Sequence, residues 1–114
     1  MLINTLKKNK EFNFVYRRGD PRSARHLVAV VAKSNYGGVR AGFSVSKKIG
    51  KSVVRNKVRR RLKEAFRELL PRINGNYCVI FIARASIENT AYTQLQEEMR
   101  YLLTKHGLIA GEKR

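Results

Sequence analysis

Ten of the twenty-one residues from Lys47 to Arg67 are lysine or arginine (47, 48, 51, 55, 57, 59, 60, 61, 63 and 67), and Glu64 alone opposes them. Like charges this close repel one another in any compact state. Whatever fold the chain takes must hold them on one side by apolar contacts on the other. A helix does this. At about 100° per residue from Val54, the side chains of Val54, Val58, Leu62, Ala65, Phe66 and Leu69 fall within roughly 120° of arc. Asn56, Arg60, Lys63 and Arg67 follow one another along the opposite face. Arg55 and Arg59 border the apolar stripe near Phe66, and Lys57 lies on the other flank. Ser52 reads as the N-cap, while Pro71 and Asn74-Gly75 read as the end.

A charge run is ordinarily a solvated face, but a solvated helix interleaves Glu with Lys or Arg at i, i+4. This one leaves Arg55, Arg59, Arg60, Arg61 and Lys63 with hardly any such support. The whole chain is equally unbalanced, with 25 basic and 8 acidic residues among 114, a net charge of +17. A polyanion is the expected partner, nucleic acid before an anionic membrane. No apolar run approaches a spanning length, and the basic helix lacks the wide apolar, Trp-bearing face of an interfacial binder. MLINTLKKNKEF shows no secretory core, so the cytoplasm is the expected location. The single Cys78 excludes disulfide and cysteine–metal schemes and is expected to fill core space.

The length suits one domain, 1–114, with residues 1–8 as a basic lead-in and 108–114 as a frayed tail. Phe12, Val15 and Tyr16 share a face of a short helix that starts near Asn9 and stops at Gly19-Asp20-Pro21. HLVAVVAK (26–33) reads as a strand. A glycine-paired turn (34–38) leads to an alternating segment, Arg40–Ser46, and the two strands read as a hairpin. Tyr77–Ala83 is an apolar run that suits a strand covered on both faces. A last helix, from about Thr90 to His106, buries Tyr92, Leu95, Met99, Leu102 and Leu103, with Gly107 as its cap. The fold expected is α+β: a sheet of about four strands with helices packed on it.

The ridge carries Asn56 but otherwise phosphate-seeking groups, which suits backbone and shape recognition better than base reading in duplex DNA. Phe12, Val15 and Tyr16 could form a platform for a single strand, or could simply be core. A protein-borne nuclease centre is not expected. Asp20 is the only aspartate, and the glutamates at 11, 64, 68, 88, 97, 98 and 112 show no spacing that gathers three of them. His26, beside Arg25, reads as a surface or phosphate-side residue. No residue is assigned as catalytic or metal-binding, and a structural RNA-binding protein such as a ribosomal protein is the alternative.

KKIGKSVVRNKVRRRLKEAF, with the preceding Ser-x-Ser, resembles the signature of the bacterial ribonuclease P protein family, and the similarity runs from KKNKEF to Ala83-Arg84. The resemblance implies an α-β-β-β-α-β-α two-layer sandwich with a four-stranded sheet and a left-handed strand–helix–strand crossover. It implies a non-catalytic subunit of an endoribonuclease holoenzyme. A large catalytic RNA, using Mg2+ held mainly by that RNA, removes the 5′ leader of precursor tRNA. No obligate protein partner is implied. Carried over by position, RNA-subunit binding falls to Lys47, Lys48, Arg55, Asn56, Lys57, Arg59, Arg60, Lys63 and Arg67. The leader cleft falls to Lys8, Phe12 and Tyr16 on the first helix, Val28 and Val30 on the first strand, and Ser44 on its neighbour. One departure stands out: Lys57 occupies a position where the family's box has arginine, which keeps the charge but loses the planar fork.

Overall fold

The structure, a computed structural model, describes residues 4–34 and 37–109. The apolar run Tyr77–Ala83 forms β5, the middle strand of a five-stranded mixed sheet. The other strands are β1 (Asn4–Thr5), β2 (Asp20–Ser23), β3 (Leu27–Lys33) and β4 (Val39–Ser44), in the spatial order β1-β4-β5-β3-β2. Among the described residues three α-helices pack on the sheet: α1 (Asn9–Arg18), α2 (Ser52–Leu69) and α3 (Tyr92–Lys105). Apart from the two-residue β1, the order is the expected α-β-β-β-α-β-α.

Period-two alternation divides β5 between two cores. Val79, Phe81 and Ala83 join Leu27, Ala29 and Val31 of β3 and Ala41 and Phe43 of β4 against α2 and α3. Cys78 and Ile80, with Val30 and Ala32, pack instead with Val15 of α1. The two-layer core is thus the sheet with α2 and α3, and α1 lies on the opposite face.

The stripe on α2 behaves as its spacing requires. Val58, Leu62, Ala65, Phe66 and Leu69 are buried, and Val54 is partly so. Phe66 is fully buried, its ring centroid 5.4 Å from that of Phe81 and 6.0 Å from that of Phe43. This aromatic trio fixes the rotation of α2 about its axis, so Asn56, Arg60, Lys63 and Arg67 all face solvent. On α3, Leu95, Met99, Leu102 and Leu103 are buried as expected, and Glu98 joins them. Gly107 takes φ +81°, where its N–H and that of Leu108 close back on Thr104 and Leu103.

Four expectations are corrected. Residues 26–33 and 40–46 do not form a hairpin. β5 lies between β3 and β4, antiparallel to the first (Val31 opposite Val79) and parallel to the second (Ala41 opposite Val79). A strand that buries both faces does so best at the sheet centre, and that position separates the two. Second, Asp20–Ser23, read only as a stop, pairs with β3 as an edge strand that tolerates Pro21. Third, the lead-in is partly structural: β1 pairs with β4, and Leu6 is buried. Fourth, Leu108 and Ile109 are buried in the main core rather than frayed. Residues 1–3 of the lead-in and 110–114 of the tail lie outside the described residues.

Candidate nucleic-acid interface

Lys47 and Lys48 are exposed on a 3₁₀ turn anchored by the buried Ile49, directly before α2. On α2, Asn56, Lys57, Arg60 and Lys63 are exposed, and Arg55 and Arg59 are half-buried. The half-buried pair is braced within the helix. Arg55 donates to Ser52 Oγ at 3.2 Å and Arg59 donates to Asn56 Oδ1 at 3.0 Å. The buried Nε of Arg55 has no hydrogen-bond partner among the described residues. Arg67 differs from Arg60 in pairing with Glu64 one turn back, and that guanidinium holds the Glu64 carboxyl below its ordinary pKa.

The second part of the site is a groove of about 380 Å³ between α1 and the sheet. Phe12 and Tyr16 form one wall, their ring centroids 6.4 Å apart and tilted by 41°. Asn9 and Asn13 continue that wall. Phe43, Ser44 and Val45 of β4 and its exit supply the floor, and Arg59 reaches in from α2. Phe12 can sit this low because β4 carries Gly42 beneath it, where a Cβ would stand 2.7 Å from the ring. Tyr16 is 45% exposed, leaving ring surface open for stacking.

Of the cleft residues expected from sequence, Phe12, Tyr16 and Ser44 therefore meet in one groove. Val28 is half-buried beside the α1 core, Val30 is buried within it, and Lys8 lines a different groove. Sequence reasoning missed Asn9, Asn13 and the participation of Arg59. Asn9 and Asn13 are four residues apart and fall next to Phe12 and Tyr16 on a helical wheel, a signal available in the sequence.

His26 is not a surface residue. Its N–H donates to Glu98 Oε1 at 2.7 Å and its Nδ1 lies 2.5 Å from Oε2, with Gln94 Nε2 3.1 Å from the same oxygen. Burial pushes the Glu98 carboxyl up, but these hydrogen bonds outweigh it and leave the pKa lowered. The pair ties the residue that precedes β3 to α3. Mg2+ needs convergent oxygen ligands. Among the described residues no three His, Cys, Asp or Glu side chains come together to supply such a set.

A cationic helix and an aromatic groove that share Arg59, on an α+β scaffold, have the features of a nucleic-acid-binding protein. The comparisons give the class its family. The ribonuclease P family model matches residues 3–107. The ribonuclease P protein component of Clostridium botulinum strain 657 is 46% identical over 109 residues, 95% of this chain and 98% of that protein. That of Thermoanaerobacter sp. strain X514 is 43% identical over 98% of this chain and 97% of its own length. The Staphylococcus aureus RNase P protein structure superposes with a TM-score of 0.85 at 28% identity, covering 95% of this chain and 99% of that one. The chain belongs to the ribonuclease P protein family. It is a protein component of the tRNA-processing ribonucleoprotein, partnered by ribonuclease P RNA.

Proposed function

We propose that the chain seats the catalytic RNA on the α2 ridge and holds the 5′ leader of precursor tRNA in the groove between α1 and β4. The chain is non-catalytic in this reading. The RNA cleaves with Mg2+ bound mainly to itself, and the holoenzyme works in the cytoplasm. The observation that carries the reading is that Arg59 belongs to both surfaces, being braced by Asn56 on α2 while lining the groove with Phe12, Tyr16 and Ser44. Phosphates on the ridge relieve the repulsion among its cations. A single strand entering beside Arg59 stacks bases on the two rings and lays its backbone along the small residue Ser44.

Incubating purified protein with precursor tRNA, with and without the cognate RNA, tests the reading. Leader removal only when the RNA is present, and faster at low Mg2+ with protein than without, supports it. Cleavage by the protein alone contradicts it. A structural ribosomal protein, the other reading of the ridge, has no need of the groove and would bind precursor and mature tRNA alike.

A further inference from the structure

A second and larger groove, of about 600 Å³, lies on the other flank of α1. At about 100° per residue from the buried Val15, Phe12 and Tyr16 fall to one side of the helix and Lys10 and Phe14 to the other. Phe14 is 43% exposed and projects into this second groove. Among the described residues the groove is lined by four cations, Lys7, Lys8, Lys10 and Arg40, and one carboxylate, Glu11. Glu11 is already committed. It accepts from the N–H groups of Lys7 and Lys8 at 3.0 and 3.1 Å and pairs with Arg40. Those backbone hydrogen bonds, with Arg40, hold its pKa below the ordinary value. The net result is an exposed aromatic ring among lysines with no spare negative charge, the chemistry of the first groove with more cations.

The two grooves share one strand. Arg40, Gly42 and Ser44 alternate onto the same face of β4. Arg40 lines the second groove, Ser44 the first, and Phe12 crosses between them over Gly42. At ~3.3 Å per residue, Arg40 and Ser44 are separated by about 13 Å of backbone. Lys8 stands four residues before Phe12, on the route between the grooves.

We propose that the second groove holds the upstream continuation of the same single strand: nucleotides of the leader beyond those stacked on Phe12 and Tyr16 pass Lys8 and dock against Phe14, Lys10 and Lys7. This rests on the reading that the first groove holds the leader. It explains why Lys8 lies with Arg40 and Phe14 rather than with Tyr16.

The test uses the reconstituted holoenzyme and two precursors, one with a leader long enough to reach only the first groove and one extended at its 5′ end. Wild type binds the extended precursor more tightly. Phe14→Ala and Lys10→Glu, at exposed positions, are expected to abolish that gain, about ten-fold for a lost stacked base, while leaving short-leader binding and RNA-subunit binding unchanged. An undiminished gain from extension in both variants overturns the second groove. So does a loss confined to RNA-subunit affinity, which would place the catalytic RNA there. Phe12→Ala separates the two readings: it must weaken both precursors, and if it weakens neither, the first-groove reading fails irrespective of the second.

Discussion

The ring of Phe12 occupies the space that any side chain at position 42 would need: a Cβ on Gly42 would stand 2.7 Å from both Cε1 and Cζ of Phe12 and 3.3 Å from Leu6 Cδ1. Groove depth is therefore set by the absence of one carbon on β4.

Gly42→Ala is predicted to displace Phe12 outward and to cost about 1–3 kcal/mol of stability through overpacking. Leader affinity should fall while affinity for the catalytic RNA on α2 holds, since the atoms that a Cβ at position 42 would meet belong to Phe12 and Leu6 and none to α2. Titrating the variant against precursor tRNA and against the RNA subunit separately checks the split.

Arg60 and Arg67 lie on one ridge but are not equivalent. Arg67 is already paired with Glu64, whereas among the described residues no carboxylate pairs with Arg60. Arg60→Ala should weaken RNA-subunit binding more than Arg67→Ala does. If Arg60 makes one phosphate contact, its loss should also reduce the slope of log K against log salt by about 0.7–0.9. Binding isotherms across a salt series give both quantities.

Phe66→Ala removes the ring that sets the rotation of α2 against Phe43 and Phe81. Truncating a fully buried phenylalanine is expected to cost about 3–5 kcal/mol. Urea unfolding should show that loss, and RNA affinity should fall although no phosphate-facing side chain has changed.

His106 links stability to pH. Its side chain is 3% exposed, Nε2 lies 3.0 Å from the Ala29 carbonyl, and Asp20 is 3.9 Å from Nδ1. Burial pushes its pKa below 6.5, outweighing the Ala29 hydrogen bond and Asp20; Arg22 acts in the same direction as burial. The folded state therefore resists a proton that the unfolded chain accepts. The neutral imidazole stabilises the fold above the unfolded value, and that contribution falls as pH drops below 6.5 toward the lowered folded pKa. Urea midpoints for wild type and His106→Gln should converge as pH falls through this window. Glu98 adds a separate acid limb, because its lowered pKa gives stability that is lost as pH falls through the folded value.

The α2 stripe and ridge were legible because an 18-residue helix repeats its pattern often enough for periodicity to decide which side is buried. Tyr77–Ala83 was legible as a doubly covered strand from composition alone. Its place in the sheet was not. Gly37-Gly38 looks like a tight reversal, and nothing near it reveals that a strand forty residues later inserts between β3 and β4. β2 was hidden by Pro21, which signals a break until the sheet edge is known to lie there. The groove was half legible. Phe12 and Tyr16 share a helix face, but Gly42, which seats Phe12, and Arg59, which closes the groove from α2, become neighbours only through the topology. Glu98 gave no sign of burial because its partner, His26, is seventy-two residues away.

The central claim is that the unbalanced cations of α2 are neutralised by RNA phosphates. Its most direct test is the affinity of the purified chain for ribonuclease P RNA as a function of salt. The account predicts a steep linear fall of log K with log salt, about −0.7 to −0.9 for each phosphate engaged and several phosphates in all. A near-flat response, or no binding at low salt, would contradict it.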